Sequence, residues 1–140
     1  MKRKVAMLLV MVCLMLNLSN VSYAAGQDMI NVDLAKEDGI QPLYDNVSNI
    51  SAGLKIEGNT AYCLAEVFAK KVNSIQVIMC LQHLEGGTWI NKVSWVESAN
   101  ASSKVSSRSY TVFEKGSYRV KVYATVGSEK VTCTSVTKTY

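Results

Sequence analysis

Between residues 47 and 140 the apolar side chains recur at every second position, in short runs cut by Gly, Asn and Ser. No stretch carries the period of an amphipathic helix. Period two marks strands with one buried face. Ile50, Ala52, Leu54 and Ile56 form a first such run, and Glu57-Gly58-Asn59 turns into a second, where Ala61, Cys63, Ala65 and Val67 share a face. Lys70, Lys71, Asn73 and Ser74 break it. A third strand sets Ile75, Val77, Met79 and Leu81 on one side, with Gln76 and Gln82 opposite. Glu85-Gly86-Gly87 reads as a hairpin turn. It leads to a fourth strand with Trp89, Val93 and Trp95 on one face, interrupted by Asn91. The small polar residues 98–103 read as a loop. Tyr110 and Val112 belong to a fifth strand, ending at Glu114-Lys115-Gly116. The sixth points Tyr118, Val120, Val122 and Ala124 one way and Arg119, Lys121 and Tyr123 the other. Gly127-Ser128 suits a two-residue type II′ turn into a last strand from Glu129. About seven short strands with one apolar face each predict an all-β antiparallel sandwich, because two sheets bury both apolar faces against each other.

Ahead of this domain stand two segments of different character. Lys2, Arg3 and Lys4 precede an apolar run over residues 5–16, and Ser22-Tyr23-Ala24 places small residues where a signal peptidase reads. The run is well short of the ~20 apolar residues that span a bilayer. Residues 1–24 therefore read as a signal peptide cleaved before Ala25, which makes the product secreted or loosely cell-surface associated, with no stable membrane insertion after cleavage. Residues 25–46 show no sustained period and hold the only proline, Pro42. They read as a leader or linker, leaving 47–140 as one domain.

Charge excludes a class of partner. The formal +4 includes three bases that leave with the signal, so 12 bases remain against 11 acids. A near-neutral chain lacks the basic footprint that nucleic acid requires. The leader nonetheless carries five acids against Lys36 alone, a net −4, while residues 46–140 carry 11 bases and six acids, a net +5. The leader is expected to be solvated, the alternative being that it folds back on the domain electrostatically. Cys63, Cys80 and Cys133 remain after processing. Export permits a disulfide, but an odd count leaves one thiol over, and no CxxC spacing indicates a metal site. Buried thiols are the expectation, with one disulfide the alternative.

Glu114-x-Gly116-x-Tyr118-x-Val120 resembles the turn into strand F of immunoglobulin-like domains, where a tyrosine hydroxyl bonds back across the corner. Val120 stands where antibody-type domains carry the disulfide partner of a strand-B cysteine such as Cys63. A second resemblance rests on Ile75-x-Val77-x-Met79-x-Leu81-Gln82, Gly86-Gly87-x-Trp89, Val93-Ser94-Trp95 and Gly116-x-Tyr118-Arg119-Val120-Lys121-Val122. These residues are similar to a family of small secreted proteins of unknown function from Gram-positive, clostridia-like bacteria, each a signal peptide with one immunoglobulin-like sandwich. The resemblance spans about residues 47–126 and implies fold and location, with no activity, cofactor or catalytic residue to carry over.

Chemistry-bearing residues are sparse. His83 is the sole histidine, stands at a strand end without a nucleophile motif, and reads as a surface residue. Glu66, Glu85 and Glu97 are scattered rather than paired for hydrolysis, and Asp28, Asp33 and Asp38 lack the spacing of a calcium loop. The six-residue spacing of Trp89 and Trp95, on the face of Val93, reads as core rather than as a carbohydrate platform. Tyr62, Arg119, Lys121 and Tyr123 point outward and form a candidate aromatic-basic binding patch. The reading is a secreted non-enzymatic binding module, without cofactor or metal, engaging an extracellular protein, glycan or envelope component. The alternatives are a structural envelope protein without a discrete site and a secreted enzyme.

Overall fold

The computed structural model describes residues 34–36 and 44–140. The signal peptide, its cleavage point and most of the leader lie outside the described residues. Seven strands, β1 (Leu34–Lys36), β2 (Val47–Glu57), β3 (Thr60–Glu85), β4 (Thr88–Thr111), β5 (Ser117–Val126), β6 (Glu129–Thr134) and β7 (Lys138–Thr139), form one antiparallel sheet that curls into an all-β, sandwich-like fold. Among the described residues no helix is long and apolar enough to cross a membrane.

The sandwich expected from the sequence is present, but its strands are divided differently. The second and third expected strands are one, the 26-residue β3. The fourth and fifth are also one, because residues 98–103 continue β4 instead of looping out. The last splits into β6 and β7, and the leader contributes β1, which pairs Leu34 with Gly53 and Lys36 with Ser51. Lys70, Lys71 and Asn73 do mark a break, but of direction rather than of strand. Phe68 pairs with Ser103 and Asn73 with Ala101, so residues 69–72 of β3 stand opposite Ser102 alone. Such an excess bends a strand sharply.

The bend makes two layers from one ribbon. Before it, β3 pairs with β2 (Ile50 with Val67, Leu54 with Cys63); after it, the same edge of β3 pairs with β5 (Val77 with Ala124, Leu81 with Val120). β4 follows β3 along its other edge through both layers. β2 then packs across onto β5 and β6. Inward residues of both layers, among them Leu54, Val67, Leu81, Val120, Val122 and Val126, are fully buried. The end of the leader is pinned to this body. Glu129 accepts N–H bonds from Asp45, Asn46 (2.8 Å) and Val47 (3.0 Å).

The corner before β5 has the expected geometry. Tyr118 is 1% exposed and its hydroxyl donates to the Glu114 carbonyl at 2.8 Å. Gly116 adopts φ +143°, and a Cβ there would stand 2.5 Å from His83 Nε2. Glycine is thus required by both backbone and space. His83 itself is a correction: it is 5% exposed and stacks on Tyr118 with ring centroids 4.5 Å apart. Its apolar ring face is covered by a residue 35 positions away, which no local pattern records. Cys63, Cys80 and Cys133 are buried thiols, and burial pushes the Cys63 thiol up to about 12.

Candidate functional site

A second irregularity positions the outer surface. Leu81 pairs with Val93 but Gln82 pairs with Asn91, so Lys92 is an extra residue in β4. One extra residue reverses the alternation. Val93 and Trp95 therefore pack against the core, whereas Trp89, opposite Leu84, falls on the outward side with Gln82. The expectation that Trp89 and Trp95 share an interior face is corrected by this slip. A cue was present: counting back from the Gly86-Gly87 turn pairs position 89 with 84, two residues from outward Gln82.

On that outward face Trp89 meets Arg119. The guanidinium lies over the indole, 4.2 Å from its centroid. Arg119 Nε donates to Gln82 Oε1 at 2.8 Å, and Gln82 Nε2 donates to Asn91 Oδ1 at 2.8 Å. The row Asn91–Gln82–Arg119 runs straight across β4, β3 and β5. Gln82 is 7% exposed, so this polar row is held by its surroundings. Two residues along β5, Lys121 Nζ lies 5.3 Å from the Tyr123 ring, and Tyr123 is 39% exposed. Lys130 joins from β6, since it pairs with Thr125 on the same side. Among the described residues no Asp or Glu stands on this outward face by register: Glu97 opposes inward Val77, and Glu85 closes the hairpin beside His83.

The structure thus brings together Arg119, Lys121 and Tyr123 and adds Trp89, but it does not bring Tyr62. Tyr62 is half-buried on the outside of the other layer, between Lys55 and Ser109. The ribbon's fold separates it from the other three, a separation invisible while β3 is read as two independent strands.

A second cluster lies at the corner. His83 Nδ1 is 3.2 Å from both Glu85 Oε1 and Glu114 Oε2, and Nε2 is 3.3 Å from the Lys115 carbonyl. These three side chains place ligand-type atoms within 4.8 Å of one another, a set that can hold a cation. Lys92 Nζ already contacts both carboxylates, at 3.1 and 3.0 Å. Its ammonium, followed by the imidazole, holds the Glu85 carboxyl below the usual range, while Glu114 and then Glu85 push the Lys92 amine up. Lys92 acts here as a tethered cation: the residue that slips the register also sets a positive charge between the two corner carboxylates. A cavity of about 210 Å³ opens beside it, lined by Lys92, Tyr110, Phe113, Glu114 and Tyr118. The sequence does not reveal this group, because its members come from three separate turns and strand ends.

No protein-family model, curated protein or solved structure matches the chain.

Proposed function

We propose that the protein is a secreted, non-enzymatic binding module that engages an anionic extracellular partner through the outward face of β3, β4, β5 and β6. The observation carrying this reading is the charge on that face. Arg119, Lys121 and Lys130 stand there, beside Trp89 and Tyr123, with no acidic residue among them in the described part of the chain. Other cations stand against acids, Lys55 with Glu57 at 2.7 Å, Arg108 with Glu97 at 2.8 Å and Lys92 with two glutamates, while Lys70 donates to the Tyr44 carbonyl and Lys115 lies over the Tyr140 ring. A surface that leaves its positive charge unmatched attracts a negative partner and repels a positive one. Trp, Tyr and Arg are also the residues that most often carry interface energy. Secretion rests on the n-region, apolar run and Ser22-Tyr23-Ala24 of the first 24 residues.

The test is capture of the purified protein on washed cell walls and on concentrated culture medium of the producing cells. The wild type should be retained saturably and released by salt. The double variant Lys121→Glu/Lys130→Glu should lose retention while keeping its melting temperature. Equal retention of both proteins defeats the assignment of this face. N-terminal sequencing of the secreted product should begin at Ala25, and an intact Met1 in the membrane fraction would defeat secretion.

A further inference from the structure

We propose that Arg119 is a preorganised carboxylate receptor and that the partner taken by this face is an acidic glycan. The inference rests on the outward face being the binding surface and names its ligand.

A guanidinium carries five N–H donors in a planar fork. In Arg119 the Nε–H is spent on Gln82 Oε1, its one hydrogen bond among the described residues. Gln82 cannot turn to release it, because its amide nitrogen is engaged by Asn91 Oδ1 and the side chain is buried among its neighbours. The guanidinium carbon also lies 4.2 Å from the centroid of the Trp89 ring, a second contact that holds the group on the outward face. Among the described residues Arg119 has no carboxylate partner. Arg108 is the contrast: one of its terminal nitrogens forms an ion pair with Glu97 at 2.8 Å within the chain. An arginine clamped through Nε and against the Trp89 ring has already given up the rotamer freedom that bidentate recognition costs. The free edge matches the two oxygens of a carboxylate.

The neighbours of Arg119 suit a sugar polymer. Lys121 follows on the same strand two residues on, about 7 Å away by strand geometry, so cationic charge repeats along β5. Hydroxyls and amides flank these cations, Asn91 and Ser94 on β4 and Thr132 and Thr134 on β6, and the same face carries Ile78, Leu84 and Val96 together with the Trp89 and Tyr123 rings. Repeated cations beside hydrogen-bonding groups and ring faces suit a ligand whose hydroxyls and carboxylates alternate with apolar sugar faces.

The experiment uses the secreted protein with four probes: polygalacturonate, hyaluronan, neutral dextran and poly-L-glutamate. Calorimetric titration should show binding to at least one of the two acidic glycans and none to dextran. Arg119→Lys keeps the charge but loses the fork, and should weaken that binding about tenfold or more, roughly 1.4 kcal/mol for each tenfold. Trp89→Ala, which removes the second contact, should weaken it in the same direction. Thermal melts of both variants control for folding. Arg119→Lys binding like wild type overturns the receptor assignment while leaving the face intact. Failure of both acidic glycans, or poly-L-glutamate binding as well as they do, overturns the glycan. Full binding by the Lys121→Glu/Lys130→Glu variant overturns the face itself.

Discussion

The two layers of the ribbon share β3 and β4, bury the same kind of residue inside, and yet present different surfaces to solvent. Outside the first layer, charge is matched or capped: Lys55 with Glu57 at 2.7 Å, Glu66 accepting from Ser51 Oγ at 3.0 Å, with Tyr62 and Phe68 between. Outside the second, Arg119, Lys121 and Lys130 stand without acids among the described residues, and the Arg119 guanidinium lies over Trp89. The interior fixes every second residue of each strand, and the other half is free to diverge. What decides which residue belongs to which half is the pair of irregularities, the excess in β3 at residues 69–72 and the extra Lys92 in β4. They also guard β4, whose 24 residues pair, among the described residues, with β3 alone. Bulges and inward-directed charges such as Glu97, Lys104 and Arg108 are the devices that keep a long edge from pairing with other chains.

Two tyrosines break or support this comparison most strongly. Tyr118 is fully buried at the corner, stacked on His83 and bonded to the Glu114 carbonyl. Tyr118→Ala should cost about 3 to 5 kcal/mol in urea denaturation, the range for an aromatic core deletion. Tyr62→Ala, on the outside of the first layer, should cost about 1 kcal/mol or less. Comparable losses from the two would mean that inside and outside are not distinguished as described.

Trp95→Ala comes next. The ring is half-buried against the core, so the expected loss is about 2 to 3 kcal/mol, below that of a fully enclosed aromatic. A loss under about 1 kcal/mol would place Trp95 outside and remove the effect of the extra Lys92.

Acid should act where carboxylates tie segments together. Burial pushes the Glu129 carboxyl up, but the N–H groups of Asn46, Asp45 and Val47 outweigh it and hold the carboxyl below its usual range. Glu97 is lowered too, first by Lys104 against the opposing effect of burial. A carboxyl lowered by folding contributes stability that is present above the ordinary glutamate value, about 4.3. That contribution is lost as pH falls through the lower folded value. The urea midpoint should therefore drop between pH 7 and pH 3. Glu129→Gln should lower the midpoint at pH 7 and narrow the drop. An unchanged drop in Glu129→Gln would show that the N-terminal clamp does not carry it.

Much of this frame is written in local pattern. The Gly86-Gly87 turn, the Gly116 corner with its Tyr118 bond, and the inward series Ile75 to Leu81 follow from chemistry within a few residues. The continuity of β3 and β4 does not, because Lys70, Lys71 and Asn73 have turn composition whether the chain reverses or merely bends. Residues 98–103 look like loop because an edge strand at a bend exposes one side to water and meets little on the other. Arg119 and Lys121 are legible as outward, but the stack on Trp89 depends on a single slipped residue. His83 reads as exposed until Glu114 and Tyr118 are brought to it by the corner.

The smallest expected effect is the one that separates the two tryptophans. Trp89 makes its main contact with a half-exposed guanidinium on the outer face, and cation–π pairs in such places are worth about 0.5 to 1 kcal/mol. Trp89→Ala should therefore lower stability by about that amount, well under the loss from Trp95→Ala on the same strand. Arg119→Ala also removes the bond to nearly buried Gln82 and should cost more, and the double variant should cost little more than Arg119→Ala alone, since that change already removes the stack. Urea denaturation of the three variants measures the coupling directly. Strictly additive losses would mean that Arg119 and Trp89 do not hold each other, and the outer face would lose the clamp that orients the Arg119 fork.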